Sequence, residues 1–199
     1  MDLKKELTSY GKLAEKEIDH YIKKWPDELY KPMRDLFGRG GKRVRPALCM
    51  ISCEAVGGDK KDALTTAATI EMIHNFTLVH DDIADKSELR RGEPCLHHRY
   101  GLGSAVNCGD GIFSRAYEVL SDAVDKMEAK NAKRIFKSLT AYVTRVCEGQ
   151  ALDISWAENK KWELSEKDYF DMIERKTGAL MAASCEIGAI LGDATEKQI

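Results

Sequence analysis

Several kinds of run are missing from this chain, and each absence excludes something. No apolar stretch is long enough to cross a bilayer. The most apolar late run, Ala179 to Leu191, is short and contains Glu186, whereas a spanning helix needs about 20 apolar residues. The N-terminus, Met-Asp-Leu-Lys-Lys-Glu-Leu, has no apolar signal core. Positive charge is not in excess: the net charge is −2, which speaks against general nucleic-acid binding. Six cysteines are present (Cys49, Cys53, Cys95, Cys108, Cys147, Cys185) but none forms a C-x-x-C pair. Scattered thiols of this kind predict a reducing cytoplasm. Cys95 with His97 and His98 lacks the second ligand pair of a zinc site. Alternating strand-like runs, repeats and low-complexity segments are absent too. What remains is 199 residues, 43% hydrophobic and 32% charged, a composition that suits one globular domain with a sizeable core.

The most informative stretch runs from Ile70 to Gly92. It places Asp81, Asp82 and Asp85 at i, i+1 and i+4. On a helix, i and i+4 share a face about 6 Å apart. The helix must stop soon after, because Gly92 and Pro94 follow. The acids therefore lie at the negative end of the dipole, where like charges repel unless a cation sits between them. A hard cation with oxygen ligands such as Mg²⁺ meets that need, and it commonly brings phosphate. Arg90 and Arg91 follow within six residues, and guanidinium groups match phosphate oxygens. An acidic run of this kind is otherwise a solvated helix face.

A second basic cluster changes the balance. Gly38-Arg-Gly-Gly-Lys-Arg-Val-Arg-Pro46 crowds Lys42, Arg43 and Arg45 against the start of a helix expected to run to Val56, where an anion is favoured. It is not a Walker A loop, since Gly41-Lys42 is followed by Arg43. His74 lies two helical turns before Asp81 on nearly the same face and could donate to a phosphate. Acids, arginines and this cluster together point to a metal–diphosphate site.

Helical spacing recurs through the chain. Leu3, Leu7, Tyr10, Ala14, Ile18, Tyr21 and Trp25 mark a first helix ended by Pro26; a short segment over 27–37 follows. A long helix is expected over about 61–86. Later helices carry Ile112 to Val124 and Ile135 to Cys147, with Gln150 and Asp153 on one face and Gly149 marking close packing. Ser165 with Asp168 signals another helix start, with a break near Gly178 and resumption through Ile190. Gly192 to Ile199 reads as a cap and first helical turn. The fold expected is all-α, a bundle of seven to eight helices with polar residues at one mouth.

Together these segments resemble the polyprenyl synthetase family of isoprenyl diphosphate synthases, over nearly the whole chain and in the right order. Gly-Gly-Lys42-Arg-Val-Arg45-Pro is similar to the family's homoallylic-diphosphate motif. His74 with Leu78-Val-His-Asp81-Asp82-Ile-Ala-Asp85 is similar to its first aspartate-rich motif, and Arg90-Arg91 to the arginine pair that follows. Gly149-Gln150-Ala-Leu-Asp153 and Lys176-Thr177 resemble two later motifs. The pattern is most like archaeal geranylgeranyl diphosphate synthases. The resemblance implies an isoprenoid-synthase bundle around a central cavity, in a cytoplasmic homodimer acting on small isoprenyl diphosphates. It implies that Lys42, Arg45, His74 and Arg91 hold isopentenyl diphosphate. Asp81 and Asp85 would bind Mg²⁺, with Asp82 supporting. Arg90, Lys176 and Thr177 would contact the allylic diphosphate. The catalytic set the resemblance implies is Asp81, Asp82, Asp85 and Lys176.

Phe76 lies five residues before Asp81, roughly 7.5 Å down the same helix. It reads either as a floor that stops the growing chain or as ordinary core. With the small Thr77 beside it, the combination resembles the family's C20 pattern. The family's second aspartate-rich motif is not found within 1–199. The expectation is therefore the N-terminal portion of a single prenyltransferase domain. The alternative is a short, non-catalytic subunit that modulates an active synthase. An HD-type phosphohydrolase built on His80-Asp81 lacks a suitably placed upstream histidine, since only His20 precedes His74.

Overall fold

The computed structural model describes residues 3–161 and 163–199. Among these, nine α-helical segments account for nearly all the regular structure. They are α1 (Leu3–Ile22), α2 (Asp27–Gly38), α3 (Val44–Ala55), α4 (Lys60–Ala84), α5 (Leu96–Tyr100), α6 (Leu102–Val124), α7 (Ala129–Glu158), α8 (Glu166–Ile173) and α9 (Ala179–Leu191). A π turn, Glu174–Gly178, joins α8 to α9 without a break. Between α4 and α5 lies a two-stranded ribbon, β1 (Leu89–Arg90) and β2 (Glu93–Pro94).

Helix α4 is the axis of the fold. Its middle is buried almost all the way round, from Ala63 through Ile73, as expected of a helix enclosed by others. It packs on α1, α3, α6 and α9. Ile70, Met72 and Ile73 meet Ile112 and Leu120 of α6 and Ile187 of α9 in one continuous apolar core. The start of α4 is capped by Asp59, whose side chain accepts from Lys61 N–H at 2.9 Å.

Its end decides where the acids point. Lys86 takes the left-handed conformation, φ 52°. Ser87 N–H donates to Asp82 C=O at 2.9 Å and Lys86 N–H to Ile83 C=O at 3.2 Å. That is a Schellman closure made without glycine. The helix thus stops at Ala84, with Asp85 as its cap residue.

The structure departs from the sequence expectations in several places. Helix α1 ends at Ile22, and Trp25 lies beyond it, 85% exposed. The region around Glu93-Pro94 is a β ribbon, because Arg91 and Gly92 both take positive φ (57° and 80°), the turn geometry that joins twisted strands tightly. The expected break near Gly178 is a π turn. Residues 192–199 form turns in place of a new helix. The Ser165 helix start is a true capping box, with Asp168 N–H donating to Ser165 Oγ at 3.1 Å.

Candidate active site

The polar mouth forms where the C-terminal end of α4 meets α7 and the π turn. Gly149 makes this approach possible. A Cβ there would fall within 2.8 Å of Arg175 Cβ and of Lys176 Cα. Because glycine occupies the position, Lys176 reaches across. Its Nζ lies 2.5 Å from Asp153 Oδ2 and 3.1 Å from Asp81 Oδ1. Gln150 donates from Nε2 to the same Asp81 oxygen at 2.8 Å.

The charges are tuned by this packing. Burial works against the Lys176 ammonium, but hydrogen bonds to Asp153 and Asp81 outweigh it and raise its pKa. Asp85 is pushed up, first by burial and then by the Asp81 charge beside it. Two carboxylates that repel, one already raised, form a site that gains from a cation.

Asp82 turns away from the mouth. It is buried and holds Arg90, whose Nε donates to Asp82 Oδ1 at 2.8 Å. Arg90 Nη2 also lies 3.8 Å from Asp81 Oδ2. The next residue, Arg91, donates to Gly40 C=O on the loop before α3. Gly41 lies between two guanidinium groups: a Cβ there would be 3.0 Å from Arg91 Cζ and 3.3 Å from Arg43 Nη1. Burial and the neighbouring Arg43 lower the Arg91 pKa.

A cavity of about 500 Å³ opens beside these groups. Arg45, His74, Asp81, Gln150, Lys176 and Thr177 supply its polar side. Leu78, Ala84, Val146 and Ile154 line its apolar side, with Phe76 and Thr77 among the wall residues. The Phe76 ring packs on Phe113 (centroids 4.7 Å apart) and on His80 (4.9 Å). His74 is held neutral: burial, then the positive charges of Arg45 and Arg91, bring its pKa down to about 3. A neutral imidazole can still donate one hydrogen bond to an anion.

The residues singled out from the sequence divide as follows. Arg45, His74, Phe76, Thr77, Asp81, Lys176 and Thr177 converge on the cavity. Asp85 adjoins Asp81 at the end of α4, and Asp82 holds Arg90, which approaches Asp81; Asp85, Asp82, Arg90 and Arg91 do not line the cavity. Lys42 is exposed and does not line the cavity. Arg43, counted in the basic cluster, is buried for another purpose: it pairs with Glu71 at 2.9 Å and Glu15 at 3.0 Å and donates to Phe37 C=O. His80 lines the cavity as well, with its Nε2 3.5 Å from Asp110 Oδ1 on α6, while Asp81 faces α7. Among the described residues no group of three or more His, Cys, Asp or Glu side chains gathers into a closed metal site. The direct bonds of Gln150 and Lys176 to Asp81 cross 69 and 95 positions of chain, and the sequence shows only that Gln150 and Asp153 share a face of α7.

The family model for polyprenyl synthetases matches residues 26–199. The chain is 41% identical to a geranylgeranyl diphosphate synthase of Methanosarcina mazei over 172 residues, 86% of this chain and 52% of that protein. It is 39% identical to a short chain isoprenyl diphosphate synthase of Methanothermobacter thermautotrophicus, over all of this chain and 60% of that one. Its fold superposes on the crystal structure of geranylgeranyl pyrophosphate synthetase from Pyrococcus horikoshii with a TM-score of 0.91 at 36% identity, covering 100% of this chain and 61% of that one. The chain thus spans half to three fifths of the length of these relatives.

Proposed function

The chain belongs to the polyprenyl synthetase family, and from that premise we propose that the intact protein condenses isopentenyl diphosphate with an allylic diphosphate, giving geranylgeranyl diphosphate. The observation that carries this reading is the meeting of Asp81, Lys176, Gln150 and Thr177 with Arg45 and His74 around one apolar cavity. Cations and carboxylates at the mouth suit diphosphates; the apolar wall suits a prenyl tail.

In this reading Asp81 and Asp85 hold Mg²⁺. The donor set fits, being hard oxygens at one helix end, and Mg²⁺ usually takes only one or two protein carboxylates and leaves the remainder to phosphate and water. When bound, the metal supplies positive charge to the leaving diphosphate. Lys176 adds a cation there, kept protonated by Asp153 and Asp81, and Thr177 and Arg90 complete the allylic side. Arg45, His74 and Arg91 hold isopentenyl diphosphate so that its double bond lies beside the allylic carbon, and Lys42, exposed outside the cavity on the loop before α3, adds a further cation toward the same diphosphate. Ionisation of the allylic C–O bond is then favoured by charge placed in advance. Val146 and Ile154 keep water from the cation. Attack by the double bond forms the new C–C bond, and loss of a proton completes the step.

The chain is read as the N-terminal part of one all-α domain in a longer, cytoplasmic, homodimeric enzyme. A non-catalytic modulating subunit would have no need of the assembled Asp81–Lys176–Gln150 set. The test is incubation of the intact protein with isopentenyl diphosphate, an allylic diphosphate and Mg²⁺, with chromatography of the prenyl products. Consumption of isopentenyl diphosphate into a C20 diphosphate is expected. A folded intact protein that forms no C–C bond overturns the reading.

A further inference from the structure

The ribbon that presents Arg90 and Arg91 is too short to hold itself. Only Leu89 with Pro94 and Arg90 with Glu93 are paired, and an isolated two-stranded ribbon is at best marginal in water. On one side Arg90 is anchored by Asp82. On the other side the support comes from α2 and α5.

Arg39, at the end of α2, donates from Nη1 to Pro94 C=O at 2.8 Å. Arg99, on α5, donates from Nη2 to Glu93 Oε2 at 2.7 Å. Both guanidinium groups converge on one carboxylate, that of Asp35. Arg39 Nη2 lies 2.7 Å from Asp35 Oδ2, and Arg99 Nη1 lies 2.8 Å from Asp35 Oδ1. The Arg39 side chain is 3% exposed. Burial disfavours the Asp35 charge, but the two arginine hydrogen bonds outweigh it and hold the carboxyl below its ordinary range.

Two cations bond to strand β2: Arg99 has the Glu93 carboxylate as well as Asp35, whereas the carboxylate bonded to the buried Arg39 is that of Asp35. Without that charge the Arg39 cation would be left buried without its partner. We propose that Asp35 is a positioning residue for isopentenyl diphosphate binding: through Arg39 and Arg99 it fixes strand β2, and so sets where the β1–β2 turn places Arg91. Asp35 touches no substrate in this arrangement. The inference rests on reading the Arg45–His74–Arg91 side as the isopentenyl diphosphate pocket, and Arg91 sits inside the turn, so any drift of β2 is passed directly to its guanidinium.

The test is Asp35→Asn in the intact protein, with both substrates varied separately. The KM for isopentenyl diphosphate is expected to rise about tenfold, in line with the cost of a small displacement of a binding group. The kcat and the KM for the allylic diphosphate should stay within about twofold of the parent. Asp35→Glu should recover part of the loss, since it restores the charge. Should Asp35→Asn fail to fold, Arg99→Gln, at a partly exposed side chain, is expected to raise the same KM in the same direction. A folded Asp35→Asn or Arg99→Gln protein with unchanged KM, whatever its melting temperature, makes the network merely structural and overturns the proposal. If the unmodified intact protein neither binds nor consumes isopentenyl diphosphate, it is the pocket assignment that fails, and the proposal falls with it.

Discussion

Gly149 on α7 and Lys176 in the π turn touch backbone to backbone: a Cβ on Gly149 would stand 2.8 Å from Lys176 Cα. The contact sets how far Lys176 reaches toward Asp81 and Asp153. The Gly149→Ala variant must push the π turn away. A shift of about 1 Å in Lys176 would cost on the order of 100-fold in kcat/KM. Steady-state kinetics of the intact protein, with circular dichroism to confirm folding, checks this. A wild-type rate would show that the turn relaxes without moving Lys176.

Asp81 carries more of the site than its neighbours, since Gln150 and Lys176 both bond to it. Asp81→Ala is expected to lower turnover by about 100-fold or more at saturating Mg²⁺, the scale for removing a charge-stabilising group. The measurement is initial rate against Mg²⁺ concentration. Full recovery at high Mg²⁺ would mean that Asp81 only raises metal affinity.

Phe76 packs on Phe113 at the cavity wall. Replacing the ring by serine opens the space beneath the aspartates. Phe76→Ser is expected to lengthen the prenyl product by at least one five-carbon unit, read by reverse-phase chromatography of the hydrolysed products. An identical product would assign Phe76 to the core alone.

His74 makes stability depend on pH in a defined direction. Burial, then Arg45 and Arg91, lower its pKa to about 3 in the folded chain, against about 6.5 when unfolded. Between these values the unfolded chain binds the extra proton. Stability therefore rises with pH across this window, and the His74 contribution is complete above pH 6.5 and lost as pH falls toward 3. Urea midpoints of the ligand-free protein between pH 7 and pH 4 should fall less steeply in His74→Gln than in the parent. Parallel curves would exclude His74 as the group responsible.

Arg43 and Glu71 form a buried pair at 2.9 Å, with Asn75 also donating to Glu71 at 3.0 Å. Arg43→Met leaves Glu71 buried without its cation and should cost about 3–5 kcal/mol. The double change Arg43→Met with Glu71→Met should recover a large part of that loss in urea unfolding. If the double variant is no more stable than the single, packing around Arg43 matters more than its charge.

Much of this protein is readable in one dimension. The helical class follows from apolar spacing, because a helix repeats every 3.6 residues and its period is local. The acid run, the basic cluster before α3 and the Lys176-Thr177 pair stand out because each is a short stretch of unusual charge. The ends were less legible. Lys86 closes α4 in a left-handed conformation that its side chain does not advertise, and the Arg91-Gly92 turn is a hairpin only because both residues take positive φ.

The sequence alone thus determined which charges exist, on which helices, and in what order. The tertiary fold alone decided which of them meet. Arg43 and Arg45 differ by two positions, yet one is consumed by Glu71 in the interior while the other lines the cavity. Asp81 and Asp82 are adjacent, yet one faces Lys176 and the other holds Arg90. Successive residues on a helix point about 100° apart, so neighbours in sequence face different partners. Those partners are brought close only when distant helices pack, and Gly149 lets two of them pack close enough for Lys176 to reach Asp81.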